Sequence, residues 1–280
     1  MTDTFCAEEW VRASPPLYRS AGDIQLADAY FKDVTVDPQS APLAPSKDQR
    51  LGRRVEQLVQ RLIEAHPDLN IIAQNIAIRD TQRTVGELDL LVHDTVNDLY
   101  QHWEVTLKFY LGVSATHWPG PNPSDNLRRK ARRMFDHQFP LSNSPLCHQR
   151  LQELGIPRID EKRLLSRGAL FYPATYELPP PAESHPLHTR GTWWLDSELP
   201  ASWQWEILPR EQWIGMSSLS DKGITLLATH QMVDYVQSAR SPVMVFGHQS
   251  QSSSVASKLG FIVTDQWLAD AKNTHSGKVD

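Results

Sequence analysis

Apolar residues at Leu51, Val55, Leu58, Val59, Leu62 and Ile63 recur at three- and four-residue steps, which places them on one face of a helix. Ser46, Asp48 or a neighbour is expected to cap its start, and Pro67 to stop it near His66. The β-branched run 70–78 then predicts a strand. A polar turn at 79–83 leads to a second strand over 84–92, and a turn at 94–98 to a third over 100–111. A helix followed by three strands joined by short turns predicts a meander feeding a mixed sheet. Residues 112–124 hold three prolines and two glycines around Trp118 and read as a loop. Residues 125–139 read as one helix, with Leu127, Ala131, Met134, Phe135 and Gln138 on one side. Further on, 168–172 and 242–246 read as buried strands and 225–239 as a helix.

Composition bounds the class. The chain has 280 residues, 40 % of them hydrophobic and 22 % charged, as in a folded globular protein. Residues 1–48 carry weak periodicity with isolated aromatics at Trp10, Tyr30 and Phe31, an extension packed on a core at 49–176. Four prolines in 177–189 place any seam there, ahead of a Trp-rich segment, 177–280, that packs on the core or forms a small second domain. No run reaches the roughly 20 apolar residues of a membrane span. The N-terminus does not read as a secretory signal. Two cysteines, Cys6 and Cys147, give no disulfide framework, and a reducing cytoplasmic setting is expected. A net charge of −5 excludes a basic coat but not one local basic groove.

The segment 56–108 carries the chemistry. Strand alternation puts Glu87 and Asp89 on one face and Leu88 and Leu90 on the other. Carboxylates among Val and Leu are costly unless solvated, paired or metal-bound. If the second and third strands pair around the 94–98 turn, Asp89 and Glu104 come level. Glu56 of the preceding helix is spaced to join them. Oxygen donors from three elements suit Mg²⁺ or Mn²⁺. The plainer alternative is a pair of strand-end carboxylates neutralised by Lys108 or an arginine.

Gly86-Glu-Leu-Asp-Leu-Leu91 followed by Trp103-Glu-Val-Thr-Leu-Lys-Phe-Tyr110 resembles the strand pair of the PD-(D/E)XK nuclease superfamily. Trp103–Leu111, Gly120-Pro-Asn-Pro123 with the basic helix, and Arg167–Pro173 resemble an uncharacterised bacterial domain-of-unknown-function family placed with those nucleases. The resemblance implies an α/β restriction-endonuclease-like fold, a central mixed sheet flanked by helices. It implies a metal-dependent nuclease in which Asp89 and Glu104 hold Mg²⁺ or Mn²⁺, with Glu56 as helix acid and Lys108 as catalytic lysine. The superfamily's lysine stands two residues after the Glu, where this chain has Thr106. Lys108 shares the strand face, but its Cα lies about 13 Å from that of Glu104 instead of about 6.6 Å. Lys130 of the basic helix could substitute. An inactive nuclease-like protein that binds nucleic acid or a protein partner is the alternative function.

Arg128, Arg129, Lys130, Arg132 and Arg133 against Asp125 and Asp136 leave +3 on the 125–139 helix. Arg128, Arg129, Lys130 and Arg133 are candidates for phosphate contact with DNA or RNA, and Gln138 for orienting substrate. A solvated helix face is the plainer reading. The tryptophans of 190–280 are expected to pack a core more than to stack on bases. The histidines form no zinc-binding pair, and neither a phosphate loop nor a Gly-x-Ser-x-Gly nucleophile elbow is present.

Overall fold

The computed structural model describes residues 2–32, 34, 50–216, 225–239, 242–249 and 257–276. The expected caps Ser46 and Asp48 lie outside them. Ten strands form a mixed sheet flanked by helices. The chain divides into two compact units, residues 1–107, 129–167 and 185–187, and residues 108–128, 168–184 and 188–280. Two 13-residue strands, β4 (Leu99–Leu111) and β5 (Glu161–Pro173), contribute to both.

In the first unit α2 (Leu51–Glu64) buries the face that its spacing predicts, Val55, Leu58, Val59, Leu62 and Ile63, with Arg54 beside them. β2 (Leu69–Arg79), β3 (Thr84–Asp94) and β4 follow as an antiparallel meander. The short β1 (Ile24–Leu26) lies parallel to β5, Ile24 opposite Lys162. α5 (Pro145–Glu153) starts at Ser144, whose hydroxyl accepts the Cys147 amide at 3.1 Å. It packs Cys147 and Leu151 onto Ile76, Ile78, Leu88 and Leu91 of β2 and β3. α1 (Thr2–Ala13) and a 3-10 turn (Ala27–Phe31) are tied to β5 by one fully buried side chain. Arg167 donates Nε to the Val11 carbonyl at 2.6 Å and pairs with Asp28 at 2.8 Å.

The second unit orders β6 (Thr189–Leu195), β10 (Ser257–Val263), β9 (Val243–Gln249), β7 (Trp203–Ile207) and β8 (Leu227–Ala228), with β6 parallel to both β5 and β10. α6 (Thr229–Ser238) and α7 (Asp265–Ser276) complete it. The tryptophans of this half are strand residues and packing elements. Trp194, Trp203 and Trp205 meet edge-on or tilted at 5.3 to 5.9 Å between ring centroids, and Trp205 is fully buried. Trp193 donates to the Gly112 carbonyl at 2.9 Å.

Gly168 sets how closely β5 approaches β4. Its φ is +134°, and a Cβ there would sit 1.7 Å from the Lys108 carbonyl oxygen. No side chain fits without displacing backbone. Gly168→Ala is expected to cost about 3 kcal/mol or more from strain and overpacking, read as a lower midpoint in thermal denaturation. An unchanged midpoint would refute the close approach.

Candidate functional site

The β3–β4 turn fixes the site. Asp94 accepts the amides of Val96 and Asn97 at 3.2 and 3.0 Å, and Asp98 closes the turn with φ +52°. An Asp side chain capping its own turn in this way favours one register. The ladder runs from Asp94↔Leu99 to Leu90↔Trp103. One further step at the same offset sets Asp89 level with Glu104, as the pivot in the 94–98 turn predicts. The ladder stops there, and the strands part. The Val105 amide donates to Asp89 Oδ2 at 2.9 Å, so a side chain takes the bond that a neighbouring strand would have taken. Leu141 lies against Gly86 at the open end, where a Cβ would come within 2.6 Å of it.

Glu104 is 3 % exposed and both of its oxygens are engaged. Oε1 lies 2.8 Å from Nε2 of the fully buried His102, two residues earlier on the same strand face. Oε2 accepts from Gln138 Nε2 at 2.8 Å. Gln138 arrives through a departure from the expected continuous helix over 125–139. α3 (Leu127–Arg133) passes into a π turn, Met134–Gln138, and then a single turn α4, Phe139–Leu141. The cause is Pro140: its ring would clash with the carbonyl of Asp136 four residues back in an α-helix, and it has no N–H to donate. The widened turn places Gln138 on Glu104 and Phe139 against the His102 ring, 5.5 Å between centroids. Single π turns inside helices recur at functional sites.

Burial, then the Glu104 charge, pushes the Asp89 carboxyl up to about 8, with Glu56 adding to the rise and the Val105 amide opposing it. Glu104 is also pushed up to about 8, by burial first, opposed by the Asp89 backbone and reinforced by Glu87 and Glu56. Burial and Glu87 raise Glu56. Burial drives His102 down to about 4, so it is neutral at physiological pH. The charge of Glu56 from α2 therefore reaches both Asp89 of β3 and Glu104 of β4, and Glu87 acts on Glu56 and Glu104. Among the described residues no three His, Cys, Asp or Glu side chains are grouped tightly enough to enclose a metal ion by themselves. Any ion here would rest on the Asp89–Glu104 pair and complete its shell with water.

Lys108 and Arg128 belong to the second unit and have partners there. The Lys108 amine is 3.7 Å from Asp125, and Arg128 is 3.8 Å from Glu183. Arg129 and Arg133 are exposed and Lys130 is half-buried in the first unit. Two participants escape the sequence reading. His102 is one of the histidines that form no zinc-binding pair, although its i, i+2 spacing to Glu104 is visible. The π turn was signalled only by Pro140.

The raised carboxyl pKa values set a pH dependence. The folded chain holds protons on Asp89 and Glu104 that the unfolded chain releases near pH 4, so stability falls as pH rises toward and through 8. The depressed His102 works the other way, costing stability only as pH falls below about 6.5. In metal-free buffer between pH 6.5 and 8.5, the thermal midpoint is expected to fall for the native chain. Asp89→Asn and Glu104→Gln should flatten that slope and melt higher at pH 8.5. Parallel slopes in all three proteins would exclude a charge-strained pair.

A family model described as Domain of unknown function (DUF1853) matches residues 8–263. No curated protein and no solved structure matches the chain. No helix among the described residues is long and apolar enough to cross a membrane.

Proposed function

The chain belongs to the DUF1853 family, and we propose that it is a metal-dependent phosphodiesterase acting on DNA or RNA with a restriction-endonuclease-like core. The observation that carries this reading is the mutually repelling pair of half-buried Asp89 and buried Glu104 where two strands part. Mg²⁺ and Mn²⁺ prefer oxygen ligands, and Mg²⁺ keeps several waters while taking only one or two carboxylates. The donor set fits that demand. Asp89 and Glu104 would hold the ion, and Glu56 would orient its waters. Once bound, such an ion lowers the pKa of a water and offsets charge on a phosphoryl group.

The chain's own groups would do the rest. Gln138 and His102 hold the Glu104 carboxylate in one orientation through its two oxygens. A carboxylate has about four lone-pair sites, so these bonds leave room for an ion. Arg129, Lys130 and Arg133 of the same unit would contact phosphates without reading sequence.

A second reading, an inert nuclease-like binder of nucleic acid, is favoured by Thr106 at the position where the superfamily carries its lysine. One experiment separates the two. Native chain, Asp89→Asn and Glu104→Gln are incubated with plasmid and single-stranded DNA and RNA in Mg²⁺ or Mn²⁺. Cleavage reduced by about a hundredfold or more in both variants is expected for loss of a metal ligand. Calorimetric Mn²⁺ binding at pH 7 should release protons, because ligands that titrate near 8 must ionise first. Cleavage that survives both substitutions would overturn the assignment. No cleavage, with salt-sensitive retention on nucleic acid, would establish the binder instead.

A further inference from the structure

We infer that Asn75 is a positioning residue for Asp89: its left-handed backbone interrupts the β2–β3 ladder opposite that carboxylate and thereby sets the side chain's direction. β2 pairs with β3 at one constant offset from Ala73↔Leu91 to Ile78↔Gly86. At that offset residue 75 stands across from residue 89. Yet the pairing passes from Gln74↔Leu90 to Ile76↔Leu88 and omits the pair between them. Asn75 has φ +53°, whereas a regular strand residue sits near −140°. The described chain has two other non-glycine residues with positive φ, Asp98 and Met216, and both lie outside strands. Asn75 alone of the three breaks a strand from within.

The location matters because the other side of Asp89 is also unpaired. The β3–β4 ladder ends at Leu90↔Trp103. Asp89 therefore lacks regular pairing toward both neighbours, a state it shares within β3 with the exposed Val85 near the strand's start. What replaces it at Asp89 is side-chain bonding: Oδ2 accepts the Val105 amide at 2.9 Å. No residue is inserted at Asn75, so the left-handed turn of its backbone within the edge strand is what re-aims the facing side chain. Asn is among the residues that tolerate the left-handed region, since its short amide can bond locally. A β-branched residue does not.

The inference rests on the reading of Asp89 as a functional carboxylate, but its first readout needs no metal. Hydrogen exchange at the Val105 amide reports whether Asp89 Oδ2 is still in place, and calorimetric Mn²⁺ titration reports the consequence. Asn75→Gly, which keeps the left-handed backbone accessible, is expected to match the native chain in both. Asn75→Val, which forces extension, should speed Val105 exchange about tenfold and weaken Mn²⁺ binding about tenfold or more. Protection in β9 should stay unchanged. If Asn75→Val loses protection everywhere, Asn75→Ala supplies the milder comparison, with the same ordering against Gly. Native-like Val105 protection in a folded Asn75→Val or Asn75→Ala protein would overturn the inference, as would equal losses in the glycine and valine proteins. Should the native chain bind no Mn²⁺, the metal reading falls, and the exchange comparison still decides the role of Asn75.

Discussion

A buried Glu104 carboxyl level with a half-buried Asp89 is costly, and the first unit is organised around that cost. In a low-dielectric interior an acid survives by protonation, by hydrogen bonding to its charged form, or by a counter-cation. The groups that hold Asp89 and Glu104 are backbone amides, the Gln138 side chain and a histidine that burial keeps neutral. These are dipoles, which orient charge but do not cancel it. Several neighbouring features make sense as support for the same spot: the turn capped by Asp94, the parting of β3 from β4, and the close seat of Leu141 on Gly86.

The π turn illustrates how one residue can relocate chemistry. Pro140 is incompatible with a regular helix across Asp136. Widening the turn relieves the clash, and it brings Gln138 and Phe139 onto consecutive members of the site. The basic stretch before it keeps its solvent-facing character, with Arg132 and Arg133 exposed and Ala131 and Met134 buried.

Local patterns made much of the first unit readable. The apolar spacing of α2, the meander and the pivot that levels Asp89 with Glu104 all follow from periods of 3.6 and 2 and from turn chemistry. What escaped depends on distant or compensating contacts. The bond between His102 and Glu104 is packed by a residue far along the chain, Phe139, against the His102 ring. The left-handed Asn75 sits in a β-branched run whose composition argues for unbroken extension. Proline density at 177–189 marks an irregular segment, whereas the boundary between the units also passes through the interiors of β4 and β5, where composition does not change. Tryptophan enrichment pointed to the packing seen among Trp194, Trp203 and Trp205, though not to their place on strands.

That the unit boundary passes through two long strands and, at residues 128–129, through α3 has an evolutionary corollary. Neither half is a contiguous stretch of gene, so neither can be excised, duplicated or traded as a cassette without severing regular secondary structure. Recombination would have to move the whole, in keeping with a single family model that spans residues 8–263. Insertions and fusions are tolerated best at exposed loop tips, and diversity among members should collect there, while the interwoven strands descend together.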